Sequence, residues 1–258
     1  MQGRHAAAFA AFLCACGGGS EVVEVPVSVR AELSSSGIPT DLGFTIELDA
    51  VSMSFSNFEF LSYGARETAW LEWLGDWFVP NAHAHPGHVQ DGDTLGVMPG
   101  RFVVDFVAGG SIGEAELLAS TYNALDVTFS TFATEDGLAS DDGRLGLSIH
   151  LRGRALRDGQ TMPFEVHAVA PSERRLVGVP FETEVVAGET RSVVFRFATN
   201  EPFRPERHLF DGVDFESMPE PLVLESTADD PAVAESFFSV QRRLLSHDFF
   251  EMTLEERQ

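Results

Sequence analysis

The sequence predicts a mainly β protein: an antiparallel β-sandwich, immunoglobulin-like or jelly-roll-like, with a C-terminal helical tail. Three observations support this. Apolar residues alternate with a period of two in many short segments, which is the spacing of half-buried strands. Glycine and proline lie between these segments at the short intervals typical of sandwiches and barrels. The segment near the C-terminus differs, because its apolar residues follow helical spacing.

The strands can be followed along the chain. Residues 22–33 form the first predicted strand, and a serine-rich loop follows it. Segment 44–61 alternates from Phe44 to Leu48, changes phase near Asp49 and then resumes its alternation. Such a phase change indicates a β-bulge or a tight hairpin. The other predicted strands are residues 101–107, 125–129, 145–151, 164–168 and 193–197.

The C-terminal segment predicts a helix. Asp230 is a favourable N-cap, and Pro231 suits the first helical position. Apolar residues then follow at helical spacing: Val233, Phe237, Val240 and Leu244. The sequence therefore divides into a signal peptide (1–15), a lipidated tether (16–21), a β-sandwich domain (22–212) and a helical tail packed on the sandwich (213–258).

The N-terminus predicts export. Arg4 precedes a short apolar run, which ends in a small residue and then in glycines. The run is shorter than the roughly 20 apolar residues that a membrane-spanning helix needs. Leu13-Cys14-Ala15-Cys16 resembles the lipobox of bacterial lipoproteins, which implies cleavage before Cys16 and lipid attachment to that cysteine. The resemblance implies a lipid-anchored protein of the cell envelope, on the periplasmic side of a membrane or on the cell surface. An ordinary cleaved signal or an apolar helix is the alternative.

Composition limits the partners. The chain has 40 acidic residues against 17 basic ones, all of them arginine, for a net charge of −23. This charge repels nucleic-acid phosphates, so no nucleic-acid partner is expected. The chain has two cysteines, Cys14 and Cys16. Cleavage would remove Cys14 and lipidation would block Cys16, so the mature domain would have neither a free thiol nor a disulfide. The hydrophobic core must therefore stabilise the fold alone.

One hairpin can be assigned in register. Asp158-Gly159 is a strong signal for a two-residue type I′ turn. Counting outward from this turn pairs Arg152 with Glu165, and places His150 directly opposite His167 on the face away from the apolar residues. Directly opposed Cβ atoms lie about 4.5–5.5 Å apart, which lets two imidazoles share a metal ion. Two exposed histidines that pair by coincidence are the alternative.

A second histidine group precedes that hairpin. His83, His85 and His88 lie within six positions, and Asp91 and Asp93 follow as candidates for an outer shell. Alternate strand residues share a face, and the intervening Pro-Gly can turn the chain back. Imidazole is a common ligand of copper and zinc, so the group predicts a site for a copper or zinc ion. A solvated loop is the alternative.

A broader resemblance covers most of the chain after residue 21. It rests on four segments: 41–48 with 58–60, His85-Pro86-Gly87-His88, 210–215 and 246–250. These segments resemble a group of exported bacterial β-sandwich lipoproteins, and are loosely similar to the periplasmic copper-binding proteins associated with methanobactin. The resemblance implies copper binding by histidine, with an oxidised tryptophan as a further ligand.

No catalytic motif is present in the sequence. It contains no Gly-x-Ser-x-Gly elbow and no phosphate-binding glycine loop, which favours a non-enzymatic protein without deciding the matter. We expect an envelope lipoprotein that binds copper or zinc for storage, delivery or sensing, with an envelope protein as a partner. The alternatives are a scaffold or adhesion module that binds an envelope protein or glycan, and a metalloenzyme with an open coordination position.

Overall fold

The computed structural model describes residues 24–35, 37–62, 93–188, 191–201 and 204–255. Within these residues, twelve strands form one curled sheet, two strands form a small separate sheet, and one α-helix lies near the C-terminus. The predictions of a mainly β protein and of a C-terminal helix are confirmed.

The elements are numbered in chain order. The strands are β1 (Glu24–Leu33), β2 (Gly37–Pro39), β3 (Thr45–Ser62), β4 (Asp93–Asp105), β5 (Gly110–Leu118), β6 (Ser120–Phe129), β7 (Ile149–Arg157), β8 (Gln160–Ala168), β9 (Arg175–Val185), β10 (Arg191–Phe197), β11 (Asn200–Glu201), β12 (Arg204–His208), β13 (Leu222–Glu225) and β14 (Phe250–Leu254). The helix is α1 (Pro231–Leu244).

Strand β3 is the longest in the described chain, and it organises the sheet. The strand order is β13-β8-β7-β3-β4-β5-β1-β10-β14, with β2 and β6 also paired to β3 and with β9 paired to β6. The sheet curls so far that β14, at one end of this order, contacts β9. Pairing between β3 and β7 shifts register between Leu48 and Ala50. This β-bulge confirms the phase change predicted from the sequence.

The sheet is mixed. β1 pairs with β10 in parallel, and β13 pairs with β8 in parallel, whereas the sequence predicted antiparallel pairing throughout. Parallel partners are joined by long crossovers and therefore have no local turn signal that a sequence could reveal. Segment 213–258 contains the predicted helix and also supplies β13 and β14 to the main sheet. Both strands are short, so their alternation is weak in the sequence.

The core is built largely of phenylalanine. The ring of Phe55 on β3 is fully buried at the centre of the curl. Its centroid lies 5.1 Å from that of Phe129, 5.7 Å from that of Phe195 and 6.4 Å from that of Phe250. Each aromatic side chain buries about 150–250 Å², and such ring pairs add a modest further stabilisation. These contacts join β3, β6, β10 and β14 around one apolar interior.

Helix α1 covers one end of the sheet. The side chain of Asp230 accepts a hydrogen bond from the amide of Ala232 at 2.8 Å, and Pro231 occupies the first turn, as predicted. Val233, Phe237, Val240 and Leu244 are buried, which confirms the predicted apolar face. The helix packs beside β13, the strand next to the histidine hairpin. No helix within the described ranges is long and apolar enough to cross a membrane.

Candidate metal-binding site

The β7–β8 hairpin has the predicted turn and register. Asp158 has φ 52° and Gly159 has φ 81°, both in the left-handed region that a type I′ turn requires at its two central positions. Arg157 pairs with Gln160, and His150 pairs directly with His167. The predicted register is therefore confirmed over the whole hairpin.

The two histidines lie on the face of the hairpin that points away from the core. Their neighbours in sequence, Ile149, Leu151 and Val166 among them, are buried on the opposite face. The histidine side chains are only partly exposed, 16% for His150 and 26% for His167. Their ring centroids lie 5.3 Å apart. Alternation along both strands thus brings two imidazoles together at a shallow, half-buried position.

A carboxylate joins the histidines. Oε2 of Glu165 lies 2.8 Å from Nε2 of His167 and 3.5 Å from Nε2 of His150. One ligand atom of each of these three side chains lies within 4.8 Å of the others, and no further such group is found in the described part of the chain. Glu165 is on the same face as His167 because residues two apart in a strand share a face. The sequence predicted a cross-strand charge pair between Arg152 and Glu165. The two residues are directly opposite each other in the hairpin, as predicted, but the carboxylate of Glu165 is turned toward the histidines.

A second carboxylate lies on the other side of His167. The parallel register of β13 with β8 places Glu225 beside His167. Oε2 of Glu225 lies 3.8 Å from Nδ1 of His167, within ion-pair distance, and its Oε1 accepts a hydrogen bond from Thr227 at 3.0 Å. His167 therefore has a carboxylate near each ring nitrogen. A histidine that binds metal through one nitrogen commonly donates the other N–H to such a group.

The electrostatics of the group favour ligand-competent protonation states. Burial lowers the pKa of His150, and Glu165 opposes this effect only in part. Partial burial raises the pKa of Glu165, but its hydrogen bonds with His167 and His150 outweigh burial, and the net shift is downward. At neutral pH, His150 is therefore neutral and Glu165 is ionised. These are the forms that bind a metal ion.

The donor set is one that zinc and copper(II) accept. Two imidazole nitrogens and one carboxylate oxygen can supply three ligands to a four-coordinate ion, with the fourth position left to water or another ligand. Metal–ligand bonds of about 2.0–2.2 Å place tetrahedral ligands about 3.4 Å apart. The two separations from Oε2 of Glu165, 2.8 Å and 3.5 Å, bracket this value, and all three ligand atoms lie within 4.8 Å of one another.

The other predicted site residues are not brought to this hairpin by the described structure. His83, His85, His88, Asp91 and Cys16 lie outside the described residues. Asp93 begins β4 and pairs with Ser62 at the end of β3, whereas His150 pairs with Ser52. Ten residues of strand separate the two positions, about 30 Å at the usual rise per residue. Asp93 is therefore remote from His150 and His167.

Sequence reasoning missed both carboxylates as partners of the histidines. For Glu165 a signal was present, since it lies two positions from His167 on the same strand and must share its face. For Glu225 no such signal exists, because it comes from a short strand far along the chain that pairs in parallel.

No protein-family model matches the chain, and neither the curated proteins nor the solved structures contain a significant match to it. The chemistry of the site must therefore be argued from its own residues.

Proposed function

We propose that the chain is an exported, lipid-anchored envelope protein that binds a copper or zinc ion through His150, His167 and Glu165, for storage, delivery or sensing. The convergence of these three donor groups on the β7–β8 hairpin is the observation that carries the proposal. The anchor is proposed from the lipobox-like segment that ends at Cys16.

The position of the group supports reversible binding. The hairpin face is half-buried, so a bound ion is partly shielded from water while one coordination position remains reachable. A transfer partner, proposed to be another envelope protein, can supply the fourth ligand during exchange. The acidic chain, with its net charge of −23, raises the local concentration of cations and favours their capture.

We propose that His83, His85 and His88 form a second copper or zinc site, or join the hairpin group in a shared one, with Asp91 and Asp93 in an outer shell. We also propose that the curled sheet belongs to the sandwich class, with two parts of the sheet facing each other across the phenylalanine core. The rings contributed by β3 and β10 support this arrangement.

Metal titration tests the site. Copper and zinc are titrated into the chain carrying Cys16→Ser, which removes the proposed lipid and the need for detergent. We expect the His150→Ala/His167→Ala variant to bind one fewer ion. His208→Ala is the matched control, because His208 lies on β12, outside the hairpin, and its loss should change nothing. A hairpin variant that binds the same number of ions with the same affinity would refute the site.

The second histidine group is tested in the same titration. If His83→Ala/His85→Ala/His88→Ala removes a different ion equivalent, two sites exist. If it removes the same one, the groups share a site. Should wild type bind neither ion, the scaffold or adhesion function becomes the leading hypothesis. The anchor is tested by fractionation: the native chain should be found with membranes and the Cys16→Ser chain should not.

A further inference from the structure

A cleft opens beside the histidine hairpin, along the outer edge of β8. Strand β13 pairs with β8 only from Leu222 onward, where it faces Phe164. The residues before it, 215–221, are not paired with the first part of β8. The gap has a volume of about 1090 Å³. This volume suits a small organic ligand, since such sites typically have about 300–1,000 Å³.

The cleft has an apolar floor. Phe164 and Phe215 are almost fully buried beneath it, with ring centroids 5.0 Å apart. The apolar surface that a ligand can reach comes from Met162, Pro163, Pro221 and Val223. Methionine side chains are flexible and polarisable, so they adapt to apolar ligands of varied shape. The floor therefore suits an alkyl or aromatic group.

One guanidinium in the cleft has no acidic partner among the residues that the structure describes. Arg152 lines the cleft and is exposed, yet within the described ranges no carboxylate lies within ion-pair distance of it, because its cross-strand neighbour Glu165 is turned toward the histidines. The next two arginines of β7 differ: Arg154 pairs with Glu47 and Asp49, and Arg157 pairs with Glu216. In a chain with a large excess of acidic residues, this unpaired cation is a specific attraction for a negatively charged ligand.

The other charges of the cleft limit the ligand to one negative charge. Glu216 is paired with Arg157, whereas Glu165 is ionised at neutral pH and keeps its negative charge beside the neutral His150. Glu220 also lines the cleft and has no ion-pair partner among the described residues, so it disfavours a second negative group nearby. A monoanion with an apolar part fits both the charges and the floor.

We propose that this cleft binds a small amphipathic carboxylate, with its carboxylate on Arg152 and its apolar chain over Met162, Pro163 and Pro221. A guanidinium can donate two parallel hydrogen bonds to a carboxylate, which gives both affinity and orientation. The proposal does not require a bound metal ion, although Glu165 belongs both to the cleft and to the proposed metal site.

Calorimetry with matched ligands tests the cleft. Octanoate, 1-octanol and octyltrimethylammonium are titrated into the Cys16→Ser chain in the presence of EDTA, which keeps the hairpin site free of metal. We expect octanoate to bind at least tenfold more tightly than octanol, and octyltrimethylammonium to bind more weakly than both. Equal binding of octanoate and octanol would overturn the proposal, as would a preference for the cation.

Substitutions locate the binding. Arg152→Gln should weaken octanoate binding by about tenfold to a hundredfold, the usual effect of losing a charge-assisted pair, while octanol binding stays unchanged. Arg152→Lys should recover only part of the affinity that Arg152→Gln loses, because an ammonium keeps the charge but cannot donate two parallel hydrogen bonds to a carboxylate. Arg242→Gln is the control, since Arg242 is exposed on α1 and does not line the cleft. If Arg152→Gln binds octanoate as wild type does, or if Arg242→Gln shows the same loss, the cleft is not the site. Unchanged near-ultraviolet circular dichroism verifies that each variant is folded.

Discussion

Replacing Gly153 with alanine tests the packing that holds β7 against β3. A Cβ atom at this position would lie 2.5 Å from the carbonyl oxygen of Glu47, 3.3 Å from Cα of Leu48 and 3.2 Å from Cζ of Phe164. The first two are backbone atoms, so no side-chain rotation removes the clash. Strand β2 pairs with β3 at Glu47 on its other edge, which restricts movement of β3 away from β7. Gly153 is thus required by close approach of two strands.

The size of the effect follows from two opposing terms. Overpacking of a well-packed interior costs typically about 1–3 kcal/mol, and backbone neighbours place this case in the upper part of that range. Replacing glycine by alanine also reduces the freedom of the unfolded chain, which stabilises by about 0.4–1 kcal/mol. We therefore expect Gly153→Ala to lower the free energy of unfolding by about 2 kcal/mol.

Urea denaturation measures the difference, with Gly37→Ala as the matched control. Gly37 also lies in a strand paired with β3, but a Cβ there meets no atom within 4 Å. We expect this control to be as stable as wild type or slightly more stable. The two variants should share the wild-type dependence of unfolding free energy on urea concentration, which shows that the unfolded state is unchanged. Equal stability of the two variants would refute the argument from close approach.

Three further predictions concern the site and its surroundings. Glu225→Gln removes the carboxylate beside Nδ1 of His167, so zinc affinity should fall about tenfold or more with the number of bound ions unchanged; unaltered affinity contradicts the orienting role of Glu225. Burial raises the pKa of Tyr122 to about 12, so in a Tyr63→Phe chain the absorbance of the remaining tyrosine should titrate near that value, and a midpoint near 10 would be inconsistent with this burial. Burial lowers the pKa of His150 in the folded chain below its value of about 6.5 in the unfolded chain. As the pH falls below about 6.5, His150 is therefore protonated first in the unfolded chain, and the free energy of unfolding declines until the pH reaches the folded-state pKa. The metal-free His150→Asn variant should lose less stability over this interval than wild type, and an equal loss would exclude His150 as the cause.

The local features of the fold could be predicted where a short sequence fixes the geometry. The Asp158-Gly159 turn determines which residues face each other, so the whole hairpin followed from two positions. Asp230 likewise marked the start of α1, because an N-cap side chain and the first helical turn that it caps are adjacent in sequence. These signals are local and their physical cause lies within a few residues.

The partners of the histidines could be predicted only in part. The register placed Arg152 opposite Glu165, but it does not determine which neighbour a flexible carboxylate binds, and the histidines lie close enough to compete. Glu225 depends on a parallel pairing between β8 and β13, which the sequence does not reveal because the connecting chain is long. The candidate site is therefore a combination of one local motif and one long-range contact.

The parallel pairing of β1 with β10 has a consequence for how the molecule is made. Val27 of β1 pairs with Arg191 of β10, so β1 lacks one of its two neighbours until about three-quarters of the 258 residues have been synthesised. At about 5–20 residues per second, a ribosome needs on the order of ten seconds or more to reach β10. During that delay the first strand has one unoccupied edge, which is a template for intermolecular pairing. Pairing of β1 thus waits for β10, and a binding factor that shields the first strand, before or after the proposed export, would increase the yield of native protein.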